Sequence, residues 1–506
     1  MERMNAADTM LEGLDEAQRQ AATTLHGPVR IIAGAGAGKT RTVTRRIAYA
    51  CSSEQWDPSG VLAVTFSVKA AAEMRKRLRQ LGVGDAVSAA TFHSAALQQL
   101  RRVWEDVCDG PFPHVADDGE PKRIIDVALR RACGDLETDE LTLRNVHDEI
   151  NWAKVSLISP ADYPRVCAVL HRRPPAELDA QRFADVIDCY EQEKTARGLI
   201  DFDDILLICC HVLDEFDEAA ASIRQSVRWL TVDEYQDVSP LQHRLMMLWL
   251  GEGENRNVCV VGDPAQTIYS FAGASSYDLL AFADQFGSLA ADVSLTTDYR
   301  STPQIVGYAN RVLAQSPNRA DYLRLTSARE DGVRVGHTVY ESDMDEARGV
   351  AGRIARMVSR GVDPADCAVL TRINAQQPTI GAALREFGLR YRVRRDAGWS
   401  ADAMGGDPVA RQTLLASLGA DDTARLGAVT ISTIHASKGL EFKHVFVIGC
   451  SEGLLPYGSP MDGDALEEER RLTYVAVTRA EDSLHVSYAR TKDGFSARPR
   501  VPSRFL

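Results

Sequence analysis

The residues Gly34-Ala35-Gly36-Ala37-Gly38-Lys39-Thr40 carry the clearest chemistry in the chain. They follow a short apolar run, Val29 to Ala33, and lead into a helix-compatible stretch from Arg41 to Ala50. Strand, glycine-rich loop and helix in that order are the parts of a phosphate-binding loop. Glycines let backbone N–H groups turn inward around phosphate oxygens, and the helix N-terminus adds positive potential. Lys39 can then reach the β- and γ-phosphates of a nucleotide, while the Thr40 hydroxyl can ligate Mg²⁺. The strict pattern fails only at its first position, where Ala33 stands in place of glycine.

A second apolar strand, Trp229 to Val232, ends in Asp233-Glu234-Tyr235-Gln236-Asp237 and puts two carboxylates at a strand tip. Phosphoryl transfer to water divides its labour between such acids. Asp233 would hold Mg²⁺, directly or through water, and Glu234 would orient and deprotonate the attacking water. A pair of this kind on its own is more often a solvated loop feature, so its weight comes from the phosphate loop. A third strand, Val258 to Val261, runs into Gly262-Asp263-Pro264-Ala265-Gln266 and places the Gln266 amide where it can sense the γ-phosphate.

The strand Val61 to Phe66 ends in Thr65-Phe66, and a helix pattern from Ser67 to Leu81 carries Lys69, Arg75, Lys76, Arg77 and Arg79. Aromatic faces for stacking beside cationic groups for phosphates suit sequence-tolerant binding of single strands. The overall charge of −13 runs mildly against indiscriminate nucleic-acid binding, so a positive groove has to be local. With 506 residues and 45% hydrophobic content, several domains are expected. The ten cysteines include no C-x-x-C pair, which leaves zinc spacing and a disulfide framework unsupported. The first thirty residues have no apolar core of signal-peptide length, and no later stretch approaches a membrane span, so a cytoplasmic protein is expected.

Ten blocks occur in order: LDEAQ, AGAGAGKTR, VLAVTFSVKAAAEMRKRL, TFHS, DFDDILL, VDEYQDVSPLQ, VVGDPAQTIYSFAGA, DYRST, IHASKGLEF and EEERRLTYVAVTRA. Together they resemble the superfamily 1 UvrD/Rep/PcrA DNA helicases, over residues 11 to 506. The resemblance implies two RecA-like α/β P-loop NTPase domains with ATP and Mg²⁺ held between them, and movement in the 3′-to-5′ direction on single-stranded DNA. The implied partners are single-stranded and forked duplex DNA, in repair, replication or recombination, with a monomeric or weakly self-associating protein. Residue by residue, it implies that Gln18 reads the adenine edge, Tyr299 stacks on its ring, and Glu441 contacts the ribose. Ala33 to Arg41 would wrap the phosphates, and Arg300 and Arg479 would reach the γ-phosphate from the second domain. Phe66, His93, Tyr269, Phe271 and His435 would line the DNA track together with Thr65. Taken singly, each of these aromatics reads as a packing residue.

The implied organisation is a first RecA-like domain in two parts, 1–95 and 199–290, split by a helical insertion at 96–198. From Asp179 to Arg197 there is no Gly or Pro, and Phe183, Val186, Ile187 and Tyr190 share one helical face. The second domain spans 291–506, and its own insertion is mostly deleted, reduced to about 394–428. From Leu466 to Ala480, Leu472, Val475, Ala476 and Arg479 fall on one helical stripe, with the arginine at its end. Two departures stand out: Phe271-Ala272 replaces the family's Trp-Arg, and Asp298 replaces its usual Asn. The basic ending, Arg490, Lys492, Arg498, Arg500 and Arg504, could touch phosphates but reads first as a frayed, solvated tail. An unwinding helicase and a translocase that hydrolyses ATP without useful unwinding share every motif, so both readings stand, the helicase first.

Overall fold

The computed structural model describes residues 7–117, 119–134, 138–253, 256–270, 273–394, 427–460, 462–492 and 499–506. Two six-stranded, all-parallel sheets organise it. In the first, the strands lie in the order Ser88–Thr91, Val61–Thr65, Trp229–Val232, Val258–Gly262, Val29–Ala33, Ala291–Leu295. Val61–Thr65 and Val258–Gly262 are buried at every position, as expected of strands covered by helices on both faces. Because all six run the same way, the phosphate loop, Thr65-Phe66, Asp233-Glu234 and Asp263 emerge from one edge of the sheet.

The second sheet runs Gly336–Ser342, Ala480–Thr491, Phe442–Val447, Cys367–Thr371, Val429–Thr433, Tyr391–Arg394. The chain is thus a pair of RecA-like domains. Their apolar cores meet: Ala35, Ala265 and Ile268 of the first pack in one cluster with Leu325, Leu440 and Tyr474 of the second.

Four helices, Glu120–Cys133, Glu140–Val155, Tyr163–Leu170 and Ala180–Ala196, form the insertion in the first domain. Phe183, Val186, Ile187 and Tyr190 are buried in its core against Ile124, Leu129, Val146 and Ile150, so the single-face pattern of the last helix marks its packing side. Where the insertion rejoins the sheet, buried Lys154 and Lys194 meet Asp201 and Asp204. Lys154 Nζ lies 2.5 Å from Asp201 and 2.7 Å from Asp204, and Lys194 Nζ lies 2.6 Å from Asp201. Burial disfavours the Asp201 carboxylate, but the two ammonium groups outweigh it and hold its pKa well below the usual range.

Three expectations need correction. The strand Ala291–Leu295, placed in the second domain by its position after 290, pairs with Val29–Ala33 and closes the first sheet; its alternating burial suits an edge strand. Arg479 is not on the helix: Gly463–Val477 ends at the Thr478 cap, and Arg479 sits in the turn before the strand Ala480–Thr491. Residues 499–506 of the tail are anchored rather than solvated. Arg504 pairs with Glu452 at 2.6 Å, Arg500 with Asp343, and Phe505 is buried beneath Arg470. An apolar anchor and two ion pairs hold the chain end down, which a reading of charge alone misses. Most of the expected reduced insertion, residues 395–426, lies outside the described residues.

Candidate nucleotide and nucleic-acid site

The phosphate loop takes its shape from two left-handed glycines. Gly38 (φ 78°) caps the helix Lys39–Ser52, and Gly36 (φ 71°) lies so close to Asp298 that a Cβ there would meet the carboxylate at 2.0 Å. At the end of Trp229–Val232, Glu234 adopts φ 55°, a strained backbone for a non-glycine residue that turns its carboxylate toward the loop. Lys39 Nζ lies 3.6 Å from Glu234 Oε2. Asp233 Oδ1 accepts the Glu234 N–H at 2.9 Å. Burial and the adjacent Glu234 push Asp233 above the usual carboxylate range; burial also works against Glu234, but Lys39, Lys438 and the Gln236 amide override it and hold that group below the usual range. Buried Asp233 beside half-buried Glu234 offers the hard oxygen ligands a divalent cation takes, and Asp233 with the Thr40 hydroxyl would hold it.

The second domain closes the other side. Arg479 is 2% exposed; its Nε donates to the Val475 carbonyl at 3.0 Å and its Nη1 to the Leu440 carbonyl at 3.0 Å. Its remaining nitrogen, Nη2, points across the seam to Gln266 Oε1 at 3.4 Å. Burial and the Arg300 charge lower its pKa to about 10, so it stays cationic at neutral pH. Gln266 donates to Asp263 at 2.7 Å, and Arg300 pairs with Glu441 at 2.6 Å. Lys39, Glu234, Gln266, Arg300, Glu441 and Arg479 therefore surround one crevice. On its outer side, the Gln18 amide donates to the Ala37 carbonyl at 3.0 Å, Arg41 bonds the Gly13 carbonyl, and the Tyr299 N–H donates to the Gly36 carbonyl.

The expected nucleic-acid residues divide. Phe66 and Tyr269 stack at 5.2 Å with planes 16° apart, and His435 of the second domain lies 6.3 Å from Tyr269. This aromatic row crosses the same seam as the nucleotide crevice. The Thr65 hydroxyl, just before it, is buried without a hydrogen-bond partner. His93 lies apart: it is 4% exposed, stacks on Phe202 at 3.8 Å and faces Asp203 at 3.4 Å. The imidazole is tied into the Asp201–Asp204 segment instead of the row. Phe271, with Ala272, lies outside the described residues.

Several seam residues had no assigned role in the sequence. Tyr474 accepts the Ala35 N–H at 3.3 Å and donates to Asp263 at 3.3 Å, reaching the phosphate loop from the opposite domain. Lys438 bonds Asp237 and the Gln266 carbonyl and lies 5.0 Å above the Tyr269 ring. Arg471 donates to the Thr267 carbonyl at 2.6 Å. All three fall inside the quoted blocks, but in periodicity they are only a helix face or a loop cation.

The model of the UvrD/REP helicase N-terminal domain matches residues 14–287, and that of the UvrD-like helicase C-terminal domain matches 293–397 and 409–491. The ATP-dependent DNA helicase UvrD2 of Mycobacterium tuberculosis is 38% identical over 590 aligned positions, covering 99% of this chain and 82% of that protein. The ATP-dependent DNA helicase PcrA of Bacillus subtilis is 26% identical, covering 99% and 86%. Both alignments are longer than the 506-residue chain, so it lacks segments that these relatives have. Matched along almost its whole length, the chain belongs to the UvrD/REP helicase family.

Proposed function

We propose that this protein is an ATP-driven motor that moves 3′ to 5′ along single-stranded DNA and separates forked duplexes. One observation carries the reading: the nucleotide crevice and the aromatic row lie on the same interdomain seam, three residues apart in the segment from Gln266 to Tyr269. A nucleotide in the crevice would neutralise the facing cations Lys39, Arg300 and Arg479 and draw the domains together, and its cleavage would release them. Glu234 would take a proton from the attacking water, Gln266 would sense the γ-phosphate, and Arg300 and Arg479 would stabilise charge on the transferring group. Mg²⁺, bound by Thr40 and Asp233, would screen the phosphate charge. Phe66, Tyr269 and His435 would stack against bases, with Phe271 as a further member of the track. The protein would act in the cytoplasm as a monomer or weak self-associate. No helix among the described residues is long and apolar enough to cross a membrane.

The segments missing from within the chain in these alignments favour a second reading, a translocase that depends on a partner to unwind. A labelled forked duplex incubated with ATP and Mg²⁺ decides between them. Strand separation by the isolated protein, lost in Lys39→Ala, is expected; DNA-stimulated ATP hydrolysis without separation would favour the translocase. Undiminished hydrolysis by Lys39→Ala would overturn the site itself.

A further inference from the structure

Tyr299 stands beside the phosphate loop with 43% of its surface exposed, yet it is held at both ends. Its N–H donates to the Gly36 carbonyl at 3.0 Å, and its phenol donates to Asp15 Oδ2 at 2.6 Å. The other oxygen of that carboxylate accepts the Gln18 N–H at 2.8 Å, and the Gln18 side chain accepts the Asp15 N–H at 3.2 Å. One carboxylate therefore caps the helix Glu16–Thr23 and tethers the ring. The ring also belongs to a segment joined to the second domain, since Ser301 Oγ donates to the Ala480 carbonyl at 2.6 Å. The tether spans the seam.

An exposed aromatic side chain normally samples several rotamers, and freezing one on ligand binding costs about 0.5–1.5 kcal/mol. A ring already fixed at its backbone and its hydroxyl avoids that loss. We infer that Asp15 is a positioning residue for the nucleotide base: through its bond to the Tyr299 phenol it holds the ring as one wall of a purine slot whose edge is Gln18. The inference rests on the reading that the loop at Gly34 to Thr40 takes ATP. Burial and the Asp15 bond hold the Tyr299 phenol at about 12, so it remains a donor at neutral pH. Arg41, bonded to the Gly13 carbonyl at 2.9 Å, braces the turn that leads into Asp15.

The test is steady-state ATP hydrolysis on saturating single-stranded DNA by the full chain and by Asp15→Ser, Tyr299→Phe and the double variant. Serine retains the helix cap but is too short to reach the phenol, and phenylalanine retains the ring. Each single change is expected to raise the KM for ATP about fivefold, the equivalent of one hydrogen bond of about 1 kcal/mol, with the effect on KM and not on kcat. The double variant is expected to match the singles, because both remove the same bond. Competitive inhibition by inorganic tripolyphosphate, which has no base, is expected to stay the same in all of them. An unchanged KM in Asp15→Ser, additive losses in the double variant, or weakened tripolyphosphate binding would each overturn the role of Asp15 while leaving the ATP site standing. Absence of DNA-stimulated hydrolysis by the unaltered chain would overturn both.

Discussion

The crevice and the aromatic row share a seam but are built from opposite materials. Around the crevice, charges are satisfied mostly by one another: Lys39 with Glu234, Arg300 with Glu441, and, across the seam, buried Lys438 with Asp237. A buried pair stays favourable only while both partners remain in place, so Lys438 and Asp237 make this half of the seam answer to domain position. The row instead joins Phe66, Tyr269 and His435 by ring faces, and stacking tolerates sliding and changes of partner. A motor gains from the difference, because the half that reads chemistry must be exacting and the half that holds the track must let go.

Removing the arginine that spans the seam should break the comparison most visibly. Arg479→Ala is expected to lower the kcat of DNA-stimulated ATP hydrolysis about a thousandfold, with DNA affinity nearly unchanged, because it deletes a charge that acts on the transferring phosphoryl group. Stopped-flow phosphate release and fluorescence anisotropy on the same preparation check both halves; a kcat within tenfold of the unaltered protein would remove Arg479 from the chemistry. A smaller effect is expected from Tyr269→Ala, which should weaken single-strand binding about tenfold by losing one stacking face. Its kcat at saturating DNA should change far less than that of Arg479→Ala, and equal losses in the two assays would mean that row and crevice act as a single unit. The least effect is expected from pH. Burial, with the Arg372 and Lys438 charges, lowers His435 to about 4, so the ring is already neutral well below physiological pH. DNA affinity should therefore show no histidine step between about pH 5.5 and 8, and a titration with a midpoint near 6.5 would place His435 in open solvent.

The strands and helices that matter here were legible because their patterns are local. Val61–Thr65, Trp229–Val232 and Val258–Gly262 read as apolar runs, and the helix Ala180–Ala196 shows its packing face in four residues. The glycine-rich loop and the paired acids carry their chemistry in adjacent positions, so spacing alone suggests it. What escaped notice depends on contacts between residues distant in the chain. Nothing near Ala291–Leu295 says which sheet it joins, since an edge strand fits either domain until pairing with Val29–Ala33 decides. The burial of His93 against Phe202 joins residues more than a hundred positions apart, and the reach of Tyr474 to Ala35 crosses the entire molecule in sequence. Arg479 was assigned to the helix end because periodicity does not register the cap at Thr478.

The knot of Lys154, Lys194, Asp201 and Asp204 bears on how the insertion is held. Pulling one member out of such a buried set strands the rest in a poor solvent, at about 3–5 kcal/mol, a large part of what holds a domain folded. The helical insertion is thus tied to its parent by buried charge as well as by the chain itself. The same segment reaches further into the parent domain, since Phe202 stacks on His93 of the helix Phe92–Val107, so insertion, acidic segment and parent helix are joined in one run of buried contacts.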